Sequence, residues 1–129
     1  MAAKSRTGRR EAGFTLMELV VVLFIVALLA ALAVPSVSRS LKRAEETALE
    51  QNLSVMRHAI DDYRADRAEW PENLSDLVEA RYIRFIPEDP VAGEDVPWAV
   101  VGAEDGSGIA DIRSTSSEIG LNGVAYNQW

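Results

Sequence analysis

Gly13-Phe14-Thr15-Leu16-Met17-Glu18-Leu19-Val20-Val21-Val22-Leu23-Phe24-Ile25-Val26-Ala27-Leu28-Leu29-Ala30-Ala31-Leu32-Ala33-Val34 decides how the rest of this 129-residue chain is read. All but Thr15 and Glu18 of the residues from Phe14 to Val34 are hydrophobic, and the run from Leu19 to Val34 is uninterrupted. As a helix rising about 1.5 Å per residue, the block spans roughly 32 Å, the thickness of a bilayer's hydrocarbon core. Ahead of it, Lys4, Arg6, Arg9 and Arg10 face one acid, Glu11. A basic flank of this kind stays cytoplasmic, which sends the carboxy-terminal part of the chain outward.

The remainder of the chain bounds the function. Hydrophobic residues make up 48% of the whole, but that mean blends the apolar block with an ordinary polar remainder. One domain is expected at this length. There is no cysteine, which excludes a disulfide framework. The net charge of −7 disfavours nucleic acid as a partner, because phosphate would be repelled.

Three readings of the block compete. A secretory signal would be cut beyond the apolar run, for which Ala31-Leu32-Ala33 offers small residues, but its core would be unusually long. A simple uncut anchor requires no particular residue at Gly13 or Glu18. Glu18 argues against both, since a carboxylate in an apolar span costs roughly 2.5–3.5 kcal/mol at mid-membrane and less near the interface. Cutting between Gly13 and Phe14 would free an ammonium at Phe14, four residues before Glu18. The same ammonium on a neighbouring copy could neutralise the carboxylate and fix the register between packed helices.

Gly13-Phe14-Thr15-Leu16-Met17-Glu18, the basic leader, the apolar run and Pro35 together resemble the class III signal of type IV pilins and type II secretion pseudopilins. The resemblance implies that a prepilin peptidase cuts after Gly13 and methylates Phe14, and that Glu18 serves assembly.

Pro35 is expected to kink the helix rather than stop it. Helical spacing resumes at Val37, Leu41, Ala44 and Ala48, and continues through Leu49, Leu53, Met56, Ile60 and Tyr63. Arg39, Lys42, Arg43, Glu45, Glu46, Glu50, Arg57 and Asp61 are placed mainly on the other faces. The stripe fades near Asp66, and Trp70-Pro71 ends it. A helix from Phe14 to Asp66 would run roughly 80 Å, more than a small head can cover. Its second half is expected to pack on the chain's own head, and its first half on lipid or on other copies.

Beyond it, Leu74, Leu77 and Val78 predict a helix of about two turns. Pro97 to Val101 and Ile109 to Arg113 read as strands around the turn Glu104-Asp105-Gly106-Ser107-Gly108, with Val124-Ala125-Tyr126 as a short edge strand. The fold class is therefore α+β: a long amino-terminal helix carrying a small head of short helix and antiparallel sheet, a pilin-like arrangement. The divisions are 1–13 leader, 14–34 transmembrane and assembly helix, 35–68 amphipathic half of the stalk, and 69–129 head.

The order Tyr82-Ile83, Pro87-Glu88-Asp89-Pro90, Gly93, Asp105-Gly106 and Asp111-Ile112 resembles the major, G-type pseudopilin of type II secretion. The stretch from Arg113 to Trp129 departs from that pattern. The resemblance implies a structural subunit of a short filament supporting protein export. Its implied partners are other copies of itself, minor pseudopilins, the inner-membrane assembly platform, prepilin peptidase, and membrane lipid before assembly. It implies an inner-membrane location with the head periplasmic. Many heads of this type hold calcium, which takes six to eight oxygen ligands. Asp105, Asp111 and Glu118 are the candidates here, against the plainer reading of a solvated acidic loop. A type IV or competence pilin and a non-polymerising anchored binding domain remain as alternatives.

No phosphate loop, nucleophile elbow, zinc spacing or dinucleotide fingerprint is present. The single histidine, His58, falls on the stalk and reads as a helix-surface residue rather than a base, so no enzyme is expected.

Overall fold

The structure, a computed structural model, describes residues 13–129. Most of the expected leader, residues 1–12, lies outside the described residues. The element order is α1 (Leu16–Arg67), α2 (Leu74–Glu79), β1 (Ala99–Gly102) and β2 (Ile109–Arg113), followed by one 3₁₀ turn, Tyr126–Gln128. Two compact units divide the chain between Ser38 and Arg39.

The first unit is helical from Leu16, and its described side chains are all exposed. Its apolar run is long and apolar enough to cross a membrane, with none of that stretch buried in the protein. Pro35 lies inside α1, which continues through it as expected. The helix starts at Leu16 rather than Phe14, because Thr15 caps it: the Glu18 N–H donates to Thr15 Oγ1 at 3.1 Å.

The second unit holds the core. From α1, Leu49, Leu53, Met56, Ala59, Ile60 and Tyr63 pack with Leu77, Ile83, Trp98, Ile109, Ile112 and Tyr126. The three- and four-residue spacing puts the α1 members on one stripe. That stripe begins later than the sequence pattern suggests. Leu41 and Ala44 are exposed and Ala48 is half-buried, while Glu46 is buried. The expected placement of Glu46 on an outer face is thus corrected. The α1 helix ends at Arg67, where Ala68 turns into the left-handed region at φ 58° and its N–H donates to Arg64 O. The guanidinium of Arg64 then lies over the Trp70 ring at 5.1 Å.

The short helix α2 is capped by a side chain reaching back. Asp76 Oδ2 accepts from the Asn73 and Glu72 N–H groups, both at 3.0 Å. Residues 82–98 are irregular and held by bonds to α1 and within the segment. Tyr82 donates to Asp66 Oδ2 at 2.8 Å, Asn52 Nδ2 donates to Glu88 O at 3.0 Å, and Trp98 Nε1 donates to Pro87 O at 2.7 Å.

Strands β1 and β2 form a two-stranded antiparallel sheet with Val100 opposite Ile112, and the register slips between Val101 and Gly102. Gly108 closes the turn where only glycine fits. Its φ is 153°, and a Cβ there would stand 2.7 Å from Pro71 O. The expected edge strand at Val124–Tyr126 is replaced by a single bridge, Ile119 to Ala125, and the 3₁₀ turn. The reason is the tight reversal from Gly120 to Val124, which leaves no length for a ladder. It brings Tyr126 inward instead.

Candidate functional site

The candidate processing and assembly segment is the start of the chain's long helix. Gly13 and Phe14 precede the first helical turn, and Phe14 is 87% exposed. Nothing lies within 4 Å of where a Cβ on Gly13 would stand.

Glu18 sits in the first turn, at the end of the helix dipole that favours negative charge. Thr15 and Glu18 have the spacing of a capping box. The bond that forms uses the Glu18 backbone N–H and the Thr15 hydroxyl, so the cap does not rely on the carboxylate. The sequence reading assigned Glu18 only a partner on another copy. The local cap is an additional feature, and its signal was the Thr-x-x-Glu spacing.

In the head, the calcium candidates are not drawn together. Asp105 Oδ1 accepts from the Ser107 N–H at 3.0 Å and the Ser107 hydroxyl at 2.5 Å. These two bonds hold its carboxyl below the usual range. Asp111 Oδ1 pairs with Arg57 Nε at 2.7 Å. Glu118 lies in the closing segment, where its backbone is engaged by Ser116 and Tyr126. Among the described residues, no group of three or more histidine, cysteine, aspartate or glutamate side chains is arranged to hold a metal. The carboxylates of Asp105 and Asp111 are each engaged by other partners, Ser107 and Arg57.

What the head does contain is a set of polar ties between α1 and the closing segment. Lys42 Nζ donates to Ile119 O at 2.9 Å. Glu46 Oε1 accepts from the Leu121 N–H at 2.6 Å and the Tyr126 hydroxyl at 2.8 Å. Burial first, and then the Glu46 carboxylate, push the Tyr126 hydroxyl up to about 12. Arg57 reaches Asp111, Ile112 and Trp129. A second buried carboxylate, Asp89, accepts from Val91 N–H, Ala92 N–H and the Ser114 hydroxyl. Sequence reasoning missed Glu46, Arg57 and Asp89 as structural centres. Only Glu46 gave a sign, lying three residues before Leu49 on the buried stripe.

His58 is exposed, and its Nδ1 lies 2.7 Å from the Ser54 carbonyl of the preceding turn. That is a helix-surface contact rather than a catalytic arrangement.

Residues 8–34 match the family model described as the prokaryotic N-terminal methylation motif. The chain is 32% identical over 98 residues to type II secretion system core protein G of Klebsiella pneumoniae, covering 64% of this chain and 70% of that protein. It is 30% identical over 101 residues to the core protein G of Escherichia coli K12, covering 66% and 70%. It is 35% identical over 69 residues to that of Pseudomonas aeruginosa, covering 54% and 49%. No solved structure matches the chain significantly.

Proposed function

The chain belongs to the family of type II secretion system core protein G, and on that premise we propose that it is a major pseudopilin. In this reading it enters the inner membrane through its apolar helix, with the basic leader in the cytoplasm and the head outside. Prepilin peptidase cuts between Gly13 and Phe14 and methylates the new amine. The subunit then polymerises with other copies, and with minor pseudopilins, into a short filament that supports export. It works as a structural part and not as an enzyme.

The observation that carries this reading is the methylation motif over residues 8–34, which runs into the start of α1, where the apolar residues from Leu16 to Val34 are exposed. Such a helix needs lipid or other helices around it. Moving it from the bilayer into a filament interior exchanges one apolar environment for another, so little hydrophobic energy is gained. Packing and polar register must then decide the assembly. The Glu18 carboxylate, facing the Phe14 ammonium of an adjacent subunit, would supply that register.

Two measurements test the proposal. Mass spectrometry of the protein purified from its own cells should show an amino terminus at Phe14, about 14 Da heavier when one methyl replaces a hydrogen of the amine. Glu18→Ala should insert into the membrane normally and fail to form filaments. An intact leader would favour a simple anchor, and normal filaments from Glu18→Ala would remove the assembly role.

A further inference from the structure

Oxygens from separate parts of the head converge on one cation, and that cation belongs to the chain. Arg57 Nε donates to Asp111 Oδ1 at 2.7 Å, and Arg57 Nη2 donates to Ile112 O at 3.0 Å and to Trp129 O at 2.7 Å. The acceptors lie 54, 55 and 72 positions away along the chain. One carboxylate and two main-chain oxygens are the donor types a calcium ion selects. Here they surround a guanidinium, whose planar array of N–H donors is permanently charged. Asp111 Oδ1 is engaged a second time by the Ile112 N–H, at 2.8 Å.

We propose that Arg57 is a built-in cation that staples the head, so that this chain does not depend on calcium for its stability. The guanidinium fastens α1, the middle of β2 and Trp129 at a single point. A small head with an irregular closing segment needs such a staple, and no cysteine is available for a disulfide. Asp105 is satisfied within its own turn, and a divalent ion brought to Asp111 would be repelled by Arg57. The two cations are therefore alternatives at this place, and the arginine is covalently present at every moment of the chain's life.

The test uses the full-length protein in detergent micelles, followed by tryptophan fluorescence during heating. Wild-type protein should melt at the same temperature in excess calcium and in excess EGTA. Arg57→Gln should lower that midpoint by roughly 4–8 °C in both media, the scale set for a head of this size. Arg57→Lys should recover only part of the loss, because an ammonium cannot present a planar fork to acceptors set apart. Calorimetric titration of the wild-type protein with calcium chloride should give no binding heat, a result that does not depend on any variant folding. A calcium-dependent rise in the wild-type midpoint, a binding isotherm, or an Arg57→Gln variant that melts with the wild type would each overturn the proposal.

Discussion

Replacing Glu46 with alanine is predicted to be among the most damaging single changes in the head, although Glu46 looks like a surface residue in sequence. The side chain is 8% exposed. Its Oε1 accepts from the Leu121 N–H at 2.6 Å and from the hydroxyl of Tyr126, which is 1% exposed. Gly120 lets the carboxylate approach, since a Cβ there would stand 3.0 Å from Oε1 and 2.8 Å from the Trp129 ring. Glu46→Ala strands two donors at once. An unpartnered buried donor costs about 1–3 kcal/mol, so the pair gives about 2–6 kcal/mol. Near the transition, each kcal/mol moves the midpoint of a head this size by roughly 4–8 °C, so the expected loss is at least about 8 °C. Glu46→Gln keeps a carbonyl acceptor and should cost only about 1 kcal/mol. Tryptophan fluorescence is a suitable readout, because the Trp129 ring lies edge-on to Tyr126 at 5.1 Å. Non-additivity is also required: Tyr126→Phe should destabilise the wild type but recover part of the loss beside Glu46→Ala, by removing the stranded hydroxyl. Additive effects, or a Glu46→Ala loss below about 0.5 kcal/mol, would refute it.

Other outcomes follow from the same geometry. The Tyr126 hydroxyl, raised to about 12 in the folded head, binds its proton more tightly than an unfolded tyrosine near 10. Its stabilising contribution is thus complete below pH 10 and is lost as pH climbs toward 12, by up to about 2–3 kcal/mol; denaturant titrations across that range should show the decline, and Tyr126→Phe should flatten it. Asp89 is 2% exposed and accepts three hydrogen bonds, so Asp89→Ala should cost about 3 kcal/mol and loosen residues 87–93, measurable as faster amide exchange at Val91 and Ala92. Gly108→Ala forces a Cβ to 2.7 Å from the Pro71 carbonyl and should destabilise the head by at least about 2 kcal/mol in a urea melt, whereas Gly123→Ala meets no neighbour and should lose only the smaller backbone term.

The parts of this protein that were legible in sequence are those whose signal is local. A membrane-length apolar run, a three-and-four stripe, an Asp-Gly turn between alternating segments and a leucine-rich turn of helix each fall within a few neighbours, and α1, α2, β1 and β2 lie where those patterns put them. The closing segment did not yield to the same approach. Its conformation is set by Lys42, Glu46 and Arg57, whose partners lie 54 to 80 positions away. Charged residues flanking an apolar stripe read as solvated faces unless the partner is known. Val124-Ala125-Tyr126 has strand composition, yet a tyrosine hydroxyl aimed at a buried carboxylate outweighs β propensity. The acidic residues from Asp105 to Glu118 read as a solvated loop or as calcium candidates, and neither reading located their partners. In the fold, Asp105 serves its own turn and Asp111 pairs with an arginine 54 positions earlier.

The amino-terminal segment and the head divide the protein's work by the kind of energy each uses. The head buries its apolar stripe and stitches its closing segment with charge-assisted bonds, so it is specified within one chain. The described side chains of the helix before it are exposed up to Ser38, and they are almost uniformly apolar up to Val34. Within that stretch, apolar side chains differ only in size, Ala27, Ala30, Ala31 and Ala33 against larger neighbours, so packing distinguishes rotations and axial slips by shape alone. A charge adds a second, polar criterion, and between Phe14 and Val34 the charged side chain is Glu18. The Thr15 cap sharpens this argument. By using the Glu18 backbone N–H, it fixes where the helix begins without calling on the carboxylate. Helix start and helix register are then separate functions of neighbouring atoms. Thr15 would control the first and the Glu18 side chain the second, which is why removing that carboxylate should spare insertion and spoil assembly.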